Sequence, residues 1–122
     1  MNIKSKSLLP AIVLLFAAGC FKPASEVRFK AADNPVVAHR GAWKKRGLPE
    51  NSIVSLRTAI ELGCAGSEFD VRMTADDSLV INHDPAYNEM SIEKTNYADL
   101  VKFPLSNGEK LPTLREYLRA GM

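Results

Sequence analysis

Histidine occurs twice in the 122 residues, and each copy has a charged neighbour: His39-Arg40 in VVAHRG and His83-Asp84 in LVINHDP. Between them lie Glu50, in PENS, and the pair Glu68 and Asp70, in SEFDVRM. Two imidazoles can serve as general acid and general base near neutral pH. An arginine grips a phosphate with a bidentate fork. Two carboxylates at i and i+2, with no lysine between them, suit a hard divalent cation with oxygen ligands, Mg2+ or Ca2+. Together these groups point to metal-assisted cleavage of a phosphate diester. Each alone has a plainer explanation, a hydrogen-bonded core histidine or a solvated strand face.

For the set to act as one site, the chain must deliver its members to strand ends. Residues 35–39 read as a buried strand ending in His39. A loop with Gly41, Gly47 and Pro49 follows, and the basic run from Lys44 to Arg46 reads as solvated. Asn51 or Ser52 then caps a helix in which Ile53, Leu56, Ala59 and Ile60 recur at helical spacing, with Gly63 just past its end. Residues 66–73 alternate as one strand, with Glu68, Asp70 and Arg72 on one face and Phe69, Val71 and Met73 on the other. A strand, a helix and a strand in this order predict a βαβ unit and a parallel sheet.

TADDS, residues 74–78, is turn chemistry, and 79–83 form another strand. The connection is too short for a parallel crossover, so 66–83 should close as a hairpin. Pairing Thr74 with Leu79 sets Asp70 opposite His83. A parallel sheet is covered on both faces, so Glu68 and Asp70 should face inward and need a cation or a hydrogen-bond network. Further on, residues 97–102 suggest a short helix and Asn107-Gly108 a turn. Thr113 and Glu116 form a capping box opening a helix that runs on through Gly121 and Met122.

The N-terminus has a different character. Residues 1–19 read as an export signal: Lys4 and Lys6, then an apolar run, then small residues before Cys20. Ala17-Ala18-Gly19-Cys20 resembles a bacterial lipobox, although Ala17 stands where leucine is usual. The expectation is an exported bacterial lipoprotein, tethered to the membrane by acyl chains on Cys20, with residues 20–34 as the tether. Cys64 would then have no disulfide partner. The whole chain has 16 basic and 14 acidic residues, and removing Lys4 and Lys6 leaves 14 and 14. A neutral mature chain gives no sign of a nucleic-acid partner.

AHRG, PENS, SEFDVRMTADDSLVINHDP and LPTLREYL, in that order and spacing, resemble the N-terminal half of a bacterial glycerophosphodiester phosphodiesterase. The resemblance runs from about Val36 to the last residue. It implies an α/β fold, the (β/α)8 barrel, with its site at the strand C-termini. It also implies metal-dependent cleavage of a glycerophosphodiester substrate to sn-glycerol 3-phosphate and an alcohol. On this resemblance His39 and His83 are the acid/base pair, and Arg40 holds the phosphate. Glu68 and Asp70 bind the metal, and Glu50 lies at the metal or the phosphate–glycerol end. Asn51 also matches, though a helix N-cap explains it equally well. A complete barrel takes about 250 residues, so residues 35–122 are expected to form only its N-terminal part, inactive alone. Two other readings stay open. One is a non-catalytic truncated lipoprotein or head-group-binding fragment; the other is a related barrel enzyme acting on phosphoinositide or sphingolipid head groups.

Overall fold

The computed structural model describes residues 34–122. The expected export signal, Cys20 and the expected tether up to residue 33 lie outside the described residues. The first strand, β1 (Asn34–Ala38), begins one residue earlier than its sequence predicts and stops just short of His39. It pairs in parallel with β2 (Cys64–Ser67), and helix α1 (Ile53–Glu61) makes the crossover. Ser52 caps α1 in a reciprocal box: its hydroxyl accepts the Ser55 N–H at 3.1 Å, and the Ser55 hydroxyl accepts the Ser52 N–H at 3.2 Å. Such a cap stabilises a helix by about 1 kcal/mol. At the other end Gly63 takes a left-handed φ of 65° and turns the chain into β2. Cys64 therefore opens β2.

The long alternating strand is broken. β2 ends at Ser67, residues 68–70 belong to neither strand, and β3 (Val71–Met73) pairs antiparallel with β4 (Leu79–Ile81). The hairpin forms, but its register is one residue off. Met73 pairs with Leu79, so Asp70 stands beside Asn82, whose N–H donates to the Asp70 carbonyl at 3.1 Å. The cause is the turn. The Thr74 hydroxyl accepts the Ser78 N–H at 3.0 Å, and Asp77 takes a φ of 59°, so all five residues 74–78 stay in the loop.

β4 lies between two cores. Val80 and Ile81 are both fully buried and, as neighbours on a strand, point to opposite faces. Val80 packs with Ile92, Leu100 and Leu111; Ile81 packs with Leu56 and Tyr117. Each such buried aliphatic side chain contributes on the order of 1.5–3 kcal/mol. The Val80 side is built from β5 (Ala86–Tyr87), β6 (Met90–Ser91), the 3-10 turn Ile92–Lys94 and helix α2 (Tyr97–Leu100). The Ile81 side is closed by α1 and by α3 (Leu114–Ala120). The predicted Thr113–Glu116 box is present, but α3 ends at Ala120 instead of running through Met122. On β1, Val36 and Val37 are more than half exposed, so that strand is less buried than its composition predicts.

Candidate active site

The C-terminal ends of β1 and β2 lie side by side, because the Glu68 N–H continues the parallel ladder by donating to the Ala38 carbonyl at 2.9 Å. Past Ala38 the chain reverses sharply. Arg40 and Gly41 both take left-handed φ angles, 55° and 82°. A non-glycine residue in that region is strained by about 1–3 kcal/mol. The surroundings hold it: the Arg40 carbonyl accepts the Asn51 N–H at 2.9 Å and the Ser55 hydroxyl at 3.2 Å, and the Ala42 N–H donates to the Ser55 carbonyl at 2.9 Å. Gly41 is obligatory here. A Cβ on it would sit 2.3 Å from the Ser55 Oγ and 2.7 Å from the Ser55 carbonyl carbon.

This turn gathers the charged residues. The Arg40 N–H donates to Glu68 Oε2 at 3.1 Å, and His39 Nε2 lies 3.9 Å from the same oxygen. Arg40 Nη1 donates to both oxygens of Glu50, at 3.0 and 3.1 Å. Its Nε lies 3.4 Å from Asp70 Oδ2, buried and without a formal hydrogen bond. Asn51 Nδ2 donates to that same Asp70 oxygen at 3.0 Å, and Asn51 Oδ1 accepts the Asp70 N–H at 3.2 Å. So His39, Arg40, Glu50, Glu68 and Asp70 form one cluster, with Asn51 as an additional member. Glu50 was expected at the metal or phosphate end; its two oxygens are on Arg40, the expected phosphate ligand.

Alternation did place Glu68 and Asp70 on a common side, since Phe69 between them turns away onto Tyr117, with ring centroids 4.8 Å apart. They are not enclosed in a sheet interior, however: the Glu68 side chain is 44% exposed. Burial pushes the Tyr117 hydroxyl pKa up, with the Glu68 charge acting the same way, while its contact with the Ser67 hydroxyl opposes them. Tyr117 therefore stays a neutral buttress under the acidic segment.

His83 follows Asn82 at the base of the hairpin, next to the Asp70 backbone, two residues past the end of β4. Its backbone carbonyl accepts two hydrogen bonds from the Arg72 guanidinium. Its Nδ1 is 2.7 Å from Asp84 Oδ1. An ionised carboxylate only accepts, so Nδ1 carries the proton and Nε2 is left for other work. An open cleft of about 340 Å³ adjoins Glu50 and Asn82, walled in part by Tyr87, Phe103 and Leu105.

The fit to a divalent cation is partial. Three carboxylates against one guanidinium leave the cluster two negative charges in excess, and carboxylate oxygens suit Mg2+ or Ca2+. Glu68 and Asp70 each have an oxygen free of the contacts above. Glu50 has none while it holds Arg40. Among the described residues no three His, Cys, Asp or Glu side chains converge closely enough to enclose an ion. The geometry thus leaves one free oxygen each on Glu68 and Asp70 that could meet an ion, but not a closed cage.

Asn51 is not the helix cap that its type and position equally suggest: Ser52 is the cap, and Asn51 joins the cluster through Asp70. Its signal in the sequence is a polar residue in a loop between two stretches of apolar pattern, beside Glu50.

Comparison with known proteins identifies the family. Residues 39–120 match the model of the Glycerophosphoryl diester phosphodiesterase family. A glycerophosphodiester phosphodiesterase of Caldanaerobacter subterraneus is 37% identical over 93 residues, covering 66% of this chain and 37% of that protein. Glycerophosphodiester phosphodiesterase 1 of Bos taurus is 30% identical over 125 residues, covering 87% of this chain and 37% of its own length. Among solved structures, a glycerophosphodiester phosphodiesterase from Parabacteroides distasonis superposes with a TM-score of 0.67 at 48% identity, over 75% of this chain and 38% of that one. An Oleispira antarctica phosphodiesterase, solved with the product sn-glycerol-3-phosphate, superposes with a TM-score of 0.64 at 30% identity, over 71% of this chain and 39% of that one. The chain therefore spans under two-fifths of the length of these relatives.

Proposed function

The chain belongs to the glycerophosphoryl diester phosphodiesterase family, whose (β/α)8 barrel its described residues represent in part, and from that premise we propose that the protein hydrolyses glycerophosphodiesters to sn-glycerol 3-phosphate and an alcohol. One observation carries this reading: the cluster of Arg40, Glu50, Glu68 and Asp70 at the adjoining ends of β1 and β2, beside His39.

In the proposed reaction Arg40 binds the diester phosphate. Glu50 occupies Nη1, fixing the guanidinium plane, and leaves the Nη2 N–H groups for phosphate oxygens. His39 and His83 divide the proton work, one deprotonating the attacking oxygen and the other protonating the leaving alcohol. Asp84 holds the His83 Nδ1 proton, which leaves Nε2 as the ring nitrogen available for proton transfer. Glu68 and Asp70 would hold a divalent ion, Mg2+ or Ca2+, which when bound neutralises charge on the phosphate oxygens. The cleft beside Glu50 has room for an organic group of the diester. Residues 1–20 support export and a lipid anchor at Cys20, with 20–34 as tether, so the reaction would run at a bacterial membrane surface.

The test, on a form of the protein that spans the full length of its relatives, is release of sn-glycerol 3-phosphate from glycerophosphocholine and glycerophosphoethanolamine, with and without EDTA. Activity lost in EDTA and restored by Mg2+ or Ca2+ is expected. Full activity in EDTA would remove the metal role, and no release under any condition would remove the activity. Incorporation of labelled fatty acid, abolished by Cys20→Ala, tests the anchor.

A further inference from the structure

We infer that Asn51 is a positioning residue: its carboxamide locks the Asp70 carboxylate in one rotamer and so sets how tightly the site holds a divalent cation. The second half rests on the metal-assisted reading above; the first does not.

Asn51 is 3% exposed and sits at a φ of 53°. Asparagine is one of the few non-glycine residues that enter that region readily. Its side chain is free of capping duty, because Ser52 caps α1. Instead it grips one residue 19 positions away through both of its polar atoms, donating to the Asp70 carboxylate and accepting the Asp70 backbone N–H. Only one amide orientation allows this. Turning it over would set oxygen against a carboxylate oxygen and an NH2 against an N–H.

Meanwhile the Asn51 backbone N–H donates to the Arg40 carbonyl. One residue therefore ties the phosphate-binding turn to the acidic segment at the base of the hairpin. Asp70 Oδ2 is taken by Asn51 and faced by Arg40 Nε, which leaves Oδ1 as the ligand atom. Outer hydrogen bonds of this kind orient metal-ligating carboxylates, and losing one typically weakens binding 10- to 100-fold.

Two variants test the inference in the 122-residue chain. Asn51→Gly tolerates the backbone angle and removes the side chain. Asn51→Asp keeps size, backbone tolerance and the acceptor for the Asp70 N–H, but loses the donor. The three-bond N–Cγ and C′–Cγ couplings of Asp70 report its χ1 rotamer by NMR, with no metal present. A single rotamer in the parent chain, averaged or switched in both variants, is expected. Mg2+ and Ca2+ titrations should show a 10- to 100-fold weaker midpoint in Asn51→Gly, with amide exchange in α1 unchanged. If Asn51→Gly fails to fold, Asn51→Asp carries the rotamer measurement. An unchanged Asp70 rotamer in the folded variants overturns the inference. If the parent chain itself responds to neither cation, the half of the inference that concerns affinity falls, while the couplings still decide whether Asn51 positions Asp70.

Discussion

Gly41→Ala should be among the most damaging single substitutions in the chain, and the structure says why. At a φ of 82° any Cβ is strained, at a cost of about 1–2 kcal/mol. The added carbon would also meet the Ser55 Oγ at 2.3 Å, its Cβ at 2.6 Å and its carbonyl carbon at 2.7 Å. The hydroxyl cannot swing aside freely, because it is fully buried and bonded to the Arg40 and Ser52 carbonyls and the Ser52 N–H. The carbonyl carbon is helix backbone, so α1 itself must shift. Forcing a methyl into a site this tight costs a further ~1–3 kcal/mol. The sum is roughly 2–5 kcal/mol, and at ~4–8 °C per kcal/mol for a domain of this size the midpoint of thermal unfolding should fall by at least ~8 °C. Gly47→Ala is the internal control, since Gly47 has a φ of 63° but nothing within 4 Å of an added Cβ. It should lose only the backbone part, about 1 kcal/mol. The assay is urea or thermal unfolding of both variants followed by circular dichroism. If both substitutions cost the same, α1 is not seated against the turn as described, and the argument that this seating holds Arg40 in place fails with it.

Other perturbations bear on the site and its supports. Arg40→Lys keeps the charge but not the fork, so it should raise KM for a glycerophosphodiester at least about tenfold, read by steady-state kinetics. Asp84→Asn should lower kcat by roughly 10- to 100-fold with KM little changed, less than the ~10²–10⁴ attributed to a general acid or base itself; an unchanged kcat would show that His83 needs no orienting partner. Glu116 is a pH probe. Burial pushes its carboxyl pKa up, but the Lys110 ammonium at 2.6 Å and the Thr113 N–H and hydroxyl outweigh this and hold it below the usual glutamate value. A lowered folded pKa gives stability that is present above the unfolded value and lost as pH falls through the folded one. Glu116→Gln should therefore be less stable than the parent by up to ~1 kcal/mol at pH 7, given a partly exposed pair. In chemical unfolding the two should converge as pH falls through the lowered folded pKa of Glu116.

Much of this arrangement could be read from the residues. Helix α1 announces itself through Leu56 and Ala59, which are both buried, and through the serine cap. The Thr113–Glu116 box marks the start of α3 directly. The same-side placement of Glu68 and Asp70 follows from alternation and survives even though the ladder breaks beneath them. Three things were not legible. The hairpin register depended on whether Thr74 sits in the ladder or the loop, which its hydroxyl decides by taking the Ser78 N–H. The pairing of Glu50 with Arg40 depended on two consecutive left-handed residues at 40 and 41, and sequence marks such angles only at the glycine. The exposure of Val36 and Val37 could not be foreseen from their types, because a β-branched pair reads as buried whatever stands opposite.

β4 has a consequence that reaches beyond packing. Its three residues are a party wall, with Val80 furnishing one room and Ile81 the other. Neither room can be emptied without undermining the masonry that His83 stands on. The stretch from Ala86 to Leu111, which carries no acid, base or phosphate ligand of the cluster, is therefore melted or kept together with the chemistry. Cooperativity across that wall would make destabilising substitutions there cost the site and the fold together.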